Sequence, residues 1–456
     1  MTDAAPARHE TVSASEGKLL RALGTWGLAA SIVNITVGGG IFRAPGSPEV
    51  SGLLGAAAPL AYVACAVLMG LIVLCIAQAG SRVSLTGGPY AYVEVTLGPY
   101  VGFLVGVLLW VVGSTAIPGV ATLFADASGR FIPALAGWGG RAIVLAVIFT
   151  VVSAINVLGV RQGTRLNSLF TVLKLVPLLL LLVVGAFAVN PANLAWHGIP
   201  PASAVSRASV VLIFIFAGVE TALVPSGEVR NPARTVPRAV LLATACVTVL
   251  YIGLHLVAQG VLGPALAGDV TPLASAAARV FGPWGATMIS AGLMVSAFGY
   301  LSGMMLAAPR ALFAFARDGL LPRALASVHP RYRTPWVAIV VQGAIAWLLA
   351  VTNRFESLVI IANVSAALIY LGCAAAAWKL QETPVPDGVE AFRVPGGILV
   401  PALTFLALIF LLSSVTLRES SVLIAVLSTA TILYVVVGRS RGRGFNVERF
   451  DAPPDA

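Results

Sequence analysis

The sequence predicts an all-α polytopic membrane protein with twelve transmembrane helices, and three observations carry that prediction. Of its 456 residues, 58% are hydrophobic and only 10% are charged, whereas soluble domains carry roughly 25% charged residues and need them as surface. The mean hydropathy is +0.95. Gly, Pro and charged residues cut the apolar runs into stretches of about 20 residues or a little more, the length of helix that crosses ~30 Å of hydrocarbon. The twelve runs are 21–49, 57–80, 98–124, 141–160, 164–188, 206–227, 236–262, 283–314, 335–352, 356–378, 397–415 and 419–438.

Taken in order, residues 1–20 are polar and mixed in charge. They lack the n-region, h-region and cleavage site of a signal peptide, so a retained N-terminal tail is expected. Spans one to five form a block over 21–188, and spans six to ten form a second over 206–378. Two further spans occupy 397–438 and a polar tail occupies 439–456. With twelve spans both tails share one side. If that side is the cytoplasm, the inner segments hold 20 of the 28 Lys and Arg residues, as the positive-inside rule requires. A plasma (cytoplasmic) membrane location with both termini inside is therefore expected. The net charge of +10 comes from these short clusters and forms no sustained basic block, so no nucleic acid partner is expected.

The first span reads GTWGLAASIVNITVGGGIFRAPG, with Gly38, Gly39 and Gly40 together near mid-membrane. Three glycines cost a helix interior roughly 3 kcal/mol relative to alanine. The sixth span, SVVLIFIFAGVETALVPSGEVRNPARTVP, places Ala217-Gly218 beside Glu220, the only acid deep in an apolar run. Irregular backbone at membrane depth is tolerated where it lines a protein or water cavity. The two interruptions open corresponding helices of two five-helix blocks. An odd helix count inverts the second block relative to the first. Paired broken helices in inverted halves point to the midplane site of a secondary transporter.

Each break offers free N–H groups on one side and free carbonyls on the other. The N–H groups before Ile41 suit a carboxylate, and the carbonyls around Val37 and Phe216 suit an ammonium, so the substrate expected is an amino acid. The competing reading is close helix packing through small residues, which Gly98, Gly102 and Gly106 of the third span also fit.

Lys174 lies ten residues into the fifth span, ~15 Å along the helix axis. A charge there costs at least ~2.5–3.5 kcal/mol, which implies a task; snorkelling to the interface is the competing reading. Glu220 is read either as a carboxyl tying the unwound segment to a neighbouring helix or as a proton-coupling group. Cys65, Cys75, Cys246 and Cys373 fall in apolar runs without metal spacing and read as small buried residues. The four histidines show no ligand spacing, and His255 reads as a satisfied polar residue of the seventh span. No metal, cofactor or catalytic residue is expected: no nucleophile–base pair, aspartate dyad or HExxH is present, so the chain does not read as an enzyme. No obligatory protein partner is expected.

The strings TVGGGIFRAPG, TGGPYAYVEVTLGPYVGFLVG, FAGVETALVPSGEVRNPARTVPRAV and APRALFAFARDGLLPRALASVHPRYRTP, in this order, resemble the amino acid–polyamine–organocation superfamily over spans one to ten. The resemblance implies the leucine-transporter-type fold: a 5+5 inverted repeat plus two C-terminal helices. It implies substrate contacts at Val37, Gly38, Gly39, Gly40, Ile41 and Phe42, and at Phe216, Ala217, Gly218 and Val219. The family often has Ser or Ala where Gly39 stands, so a hydroxyl contribution is missing here. Lys174 looks like the fifth-helix lysine that replaces a sodium ion in sodium-independent members, with Ser296 or Ser302 as hydroxyl partner. Phe214 matches a gating aromatic of the antiporter branch, and Tyr300 is a further gate candidate. The GVE string resembles proton-linked basic amino acid and polyamine antiporters. The function expected is sodium-independent transport of amino acids by alternating access, neutral ones preferred, coupled to protons or to exchange. A cationic amino acid or polyamine antiporter is the alternative.

Overall fold

A computed structural model describes residues 24–82, 89–158, 164–196, 198–217, 232–317, 319–381, 392–394 and 396–441. These residues are helical throughout, without a strand. The first helix, α1 (Thr25–Thr36), is followed by a run of short 3-10 and π turns between Gly39 and Ala57. Then come α2 (Pro59–Arg82), the short α3 (Pro89–Leu97), α4 (Pro99–Phe131), α5 (Trp138–Val157) and α6 (Thr164–Gly185). The second half holds α7 (Ala202–Phe216), α8 (Pro232–Leu262), the short α9 (Pro272–Phe281), α10 (Pro283–Arg317), α11 (Trp336–Thr352) and α12 (Phe355–Gln381). Two further helices, α13 (Leu399–Leu412) and α14 (Leu417–Arg441), complete the order.

Seven helical stretches among the described residues are long and apolar enough to cross a membrane. They fall on predicted spans two, three, four, seven, eight, ten and twelve. Four shorter apolar helices, at 173–188, 202–216, 336–352 and 399–412, fall on spans five, six, nine and eleven. The first span is the one broken into short turns. Valines, leucines and isoleucines such as Val63, Val67, Val147, Leu241, Val249, Leu406 and Ile432 stand exposed on outward faces. Such a belt would aggregate in water and is at home in lipid. The protein is a multi-pass membrane protein.

Inside this belt, α1 packs along α8, α2 lies between α7 and α8, and α4 runs along both α10 and α12. The largest buried cluster threads the broken first segment, from Val37 to Leu54, together with α7, α8 and α12. The core therefore converges on the interruption.

Two sequence expectations change. Cys65, Cys75 and Cys373 are buried, but Cys246 is exposed; in a membrane helix the lipid face is as apolar as the core, so an apolar run does not separate the two. The small-residue face holds for Gly102, where an added Cβ would stand 2.6 Å from the Glu94 Cβ, and for Gly106, 3.5 Å from the Tyr90 ring. Gly98 packs on nothing. It caps the start of α4 at φ 96°, a left-handed conformation that favours glycine. Helices α3 and α9 were not expected, because both are shorter than a membrane span. α9 buries Leu273, Ala274, Ala276 and Ala277 along one side.

Candidate functional site

The first break is real in the backbone. α1 stops at Thr36, and Val37 at φ −73°, ψ 78° forms a tight turn in which the Gly38 N–H donates to the Thr36 carbonyl at 2.8 Å. That geometry is an inverse γ-turn. Gly38 is extended, and a new 3-10 turn runs from Gly39 to Phe42. A helical turn that starts afresh opens with N–H groups that have no partner within it.

At the sixth span the described chain also leaves the helix. α7 ends at Phe216, and Ala217 turns to an extended ψ of 148° while its N–H still reaches the carbonyls of Ile213 and Phe214. Gly218, Val219 and Glu220 lie outside the described residues.

The three glycines differ in what surrounds them. A Cβ on Gly40 would stand 2.9 Å from the Ile215 Cγ2 and 3.0 Å from the Phe214 ring, so here the two broken segments touch. A Cβ on Gly39 would meet Val120, Leu123 and Leu293 at ordinary distances of 3.5–3.6 Å. At Gly38 the nearest atom would be its own Thr36 carbonyl, at 3.9 Å. Closeness at Gly40 thus goes with open approach at Gly38. Val37, Ile41, Phe42 and Phe216 are buried behind them.

Phe214 lies over Gly40 and meets the Phe355 ring edge-on, with centroids 6.0 Å apart. Phe214 and Tyr300 both pack against the buried cluster built on Ile117, Val120 and Leu301, so the two gate candidates share one neighbourhood.

Lys174, half-buried on α6, connects to the first break through α10. Gly292 of α10 lets the helices close up: its Cβ would stand 3.2 Å from the Leu173 carbonyl, 3.5 Å from the Pro177 ring and 3.9 Å from the Lys174 Cα. Pro177 has no N–H, so the Leu173 carbonyl four residues earlier lacks its helical partner. The next residue, Leu293, is the one that touches Gly39. Ser296, buried, follows Gly292 by one helical turn and so shares its face. Ser302, also buried, lies further along α10, where its backbone carbonyl accepts from Asn156 of α5 at 3.3 Å.

Sequence reasoning missed an ion pair just beyond the first break. Arg43 is only 7% exposed, and its Nε and Nη2 donate to one Glu356 carboxylate oxygen at 2.9 and 2.5 Å. Its Nη1 donates to the Asp269 carbonyl at 2.8 Å. Asp126 lies within electrostatic reach of both Arg43 and Glu356. The pair ties the segment after the first break to the start of α12, next to Phe355. No spacing in the chain could reveal it, since 313 positions separate the partners. Tyr251 of α8 was missed as well; its hydroxyl lies 2.9 Å from the Thr36 carbonyl and 3.0 Å from the Ile215 carbonyl.

A cavity of about 510 Å³ lies at the far end of the run of short turns, lined by Leu54 and Gly55 and by Asn193, Trp196, Ile199 and Gln259 among others; no residue from Val37 to Phe42 and no described residue of α7 borders it. Among the described residues, no three of His, Cys, Asp and Glu gather as metal ligands would.

A first helix broken at a run of glycines and touching the end of α7, inside a lipid-facing bundle, makes a transporter-like centre, and comparison with known proteins agrees. The family model described as amino acid permease matches residues 23–438. The branched-chain amino acid permease BcaP of Bacillus subtilis is 26% identical over 428 residues, covering 89% of this chain and 90% of the relative. The serine/threonine exchanger SteT of the same organism is 29% identical over 408 residues, 85% of this chain and 90% of its own. Its methylthioribose transporter is 29% identical over 413 residues, 87% and 89% of the two chains. A match that spans both breaks and nearly all the helices leaves one assignment: this chain belongs to the amino acid permease family.

Proposed function

We propose that the protein is a sodium-independent amino acid transporter working by alternating access, with neutral amino acids preferred. One observation carries this reading: the interrupted first helix meets the end of α7 at Gly40 while the neighbouring Gly38 stays uncrowded. The substrate carboxylate takes the N–H groups opening the Gly39–Phe42 turn, and the ammonium takes carbonyls around Val37 and Phe216. Both charges of a zwitterion are thereby met by backbone dipoles at membrane depth. The small apolar residues around the breaks support neutral side chains. Phe214 and Tyr300 serve as gates.

Sodium independence rests on Lys174, whose connection to Gly39 through Gly292 and Leu293 supports a fixed charge bearing on the first break. Ser296 is the hydroxyl partner that best fits the α6-facing side of α10. The two five-helix blocks act as inverted halves within a twelve-span bundle. Both termini lie in the cytoplasm and the protein sits in the plasma membrane, as the distribution of basic residues supports. Coupling is by proton symport or by amino acid exchange, and neither needs a protein partner.

The test is uptake by purified protein in sodium-free liposomes. The panel holds labelled leucine, valine, serine, threonine, lysine, arginine, putrescine and methylthioribose. Each is tried with an inward proton gradient and, separately, with unlabelled amino acid inside. Neutral amino acids are expected to accumulate under one of the two conditions. Methylthioribose, which lacks both an ammonium and a carboxylate, is expected to stay outside. Absence of uptake of every amino acid would sink the proposal.

The cationic amino acid or polyamine antiporter is the second reading, supported by the Glu220 carboxyl directly after the second break in the sequence. Glu220→Gln separates the two. Loss confined to lysine, arginine and putrescine favours the antiporter, whereas loss of pH dependence for all substrates assigns Glu220 to proton coupling. Unchanged uptake excludes both roles for Glu220.

A further inference from the structure

The cavity of about 510 Å³ beyond the short turns has the size of a small-molecule pocket. Three stretches of chain wall it: Leu54 and Gly55 after the first break, Asn193, Trp196 and Ile199 between α6 and α7, and Gln259 near the end of α8. The walls are tied together. The Asn190 backbone N–H and the Asn193 Nδ2 both donate to the Gly260 carbonyl, at 3.1 and 2.8 Å. From within α8 the His255 Nε2 donates to the Gly55 carbonyl at 3.3 Å.

Among the described residues that line the cavity, none carries a charge. An ion or a zwitterion placed there would lose hydration without a counter-charge, which is costly. The occupant is therefore uncharged where it enters, and mostly apolar. Its source is indicated by the exposed part of the lining. Ile199 is 90% exposed, Trp196 52% and Leu53 50%. Such side chains continue the lipid-facing belt, and Trp is typical of its interfacial edge. The cavity lies where α6 and α8 end, as that edge requires. One buried amide borders the space. Gln259 is 7% exposed and gives one N–H to the Asn193 carbonyl at 3.4 Å; its second N–H has no acceptor among the described residues.

We propose that this cavity takes an acyl chain of a membrane phospholipid, with the ester carbonyl of that chain against the Gln259 amide. An ester carbonyl accepts and does not donate, which suits a spare N–H, and the chain beyond it covers the apolar walls. The headgroup meets no charged side chain of the lining, so zwitterionic and anionic phospholipids bind alike. One wall is the segment that follows the first break, so the bound chain braces that segment against α8. The assignment holds whichever substrate the protein carries.

The test is photolabelling in nanodiscs doped with an ester-linked phosphatidylcholine whose acyl chain carries a diazirine, followed by mapping of the labelled peptides. Label is expected to concentrate on 51–57 and 192–201, above its level on the exposed face of α14 around Ile424 and Ile432. Ala195→Trp and Ala267→Phe fill the cavity from exposed positions of its lining. Each is expected to bring the label on those segments down to the α14 level. The ester contact is read on wild-type protein by changing the matrix lipid. In nanodiscs of ether-linked phosphatidylcholine, which lacks the carbonyl, the probe labels the two segments roughly twofold to tenfold more than in an ester-linked matrix, the effect of one hydrogen bond. Gln259→Leu abolishes that difference. This comparison carries the test alone if the filled variants fail to fold. Label spread evenly over the lipid-facing helices overturns the proposal, as does labelling unchanged in both filled variants. Equal labelling in the two matrices overturns it too. Displacement of the label by leucine would make the cavity an amino acid subsite and defeat the lipid assignment.

Discussion

Replacing Gly40 with valine lowers amino acid uptake roughly 5- to 150-fold, from an overpacking cost of about 1–3 kcal/mol converted to a rate or binding ratio. The reason is local. Even a lone Cβ at position 40 would stand 2.9 Å from Ile215 and 3.0 Å from the Phe214 ring, and valine adds two further methyl groups. The first break and the end of α7 must separate to admit them, which would pull apart the proposed carboxylate and ammonium subsites. Gly39→Ala is the matched control, because its new methyl meets Val120, Leu123 and Leu293 at ordinary van der Waals distance. It is expected to fold and reach the membrane like wild type. Transport at the wild-type rate by Gly40→Val would mean that the contact between the breaks plays no part in the working cycle.

The second large effect is on stability. Glu356→Ala removes the carboxylate that accepts from two nitrogens of Arg43, leaving a guanidinium that is 7% exposed and still donates to the Asp269 carbonyl. Removing one partner of a buried ion pair costs about 3–5 kcal/mol, because the other charge stays buried without compensation. Thermal unfolding of Glu356→Ala in detergent should therefore fall well below wild type. The double swap Arg43→Glu with Glu356→Arg should recover part of the loss, which neither single change does. A Glu356→Ala protein that unfolds with the wild type would show that the pair contributes nothing.

The architecture was legible wherever it rests on hydropathy and on backbone punctuation. Apolar runs located most of the helices, although α4 runs past its predicted end and α7 stops short of its own, and the Gly38–Gly40 run marked the first interruption, because glycine clusters are costly in any continuous helix. Contacts that join distant parts of the chain were not legible. Arg43 closes the glycine-rich first span without any sequence signal of a partner, yet it is buried against Glu356 of α12. Nothing in the neighbours of Tyr251 says which carbonyls its hydroxyl will meet. Cys246 shows the converse limit: hydrophobicity places a residue in the membrane region but does not say whether it faces protein or lipid. α3 and α9 escaped because a helix of nine or ten residues leaves no membrane-length run.

The Arg43–Glu356 pair also orders events during biosynthesis. At about 5–20 residues per second, Arg43 leaves the ribosome roughly 15–60 s before its partner is made. Through that interval the helices of the first half must insert with an unpaired guanidinium at the end of a glycine-rich, poorly self-supporting segment. That segment can reach its final seat only when α12 arrives, so closure of the first half is a late, post-insertion step. A nascent chain truncated before α12 should remain a client of membrane quality control, whereas one extended past Glu356 should be able to lock.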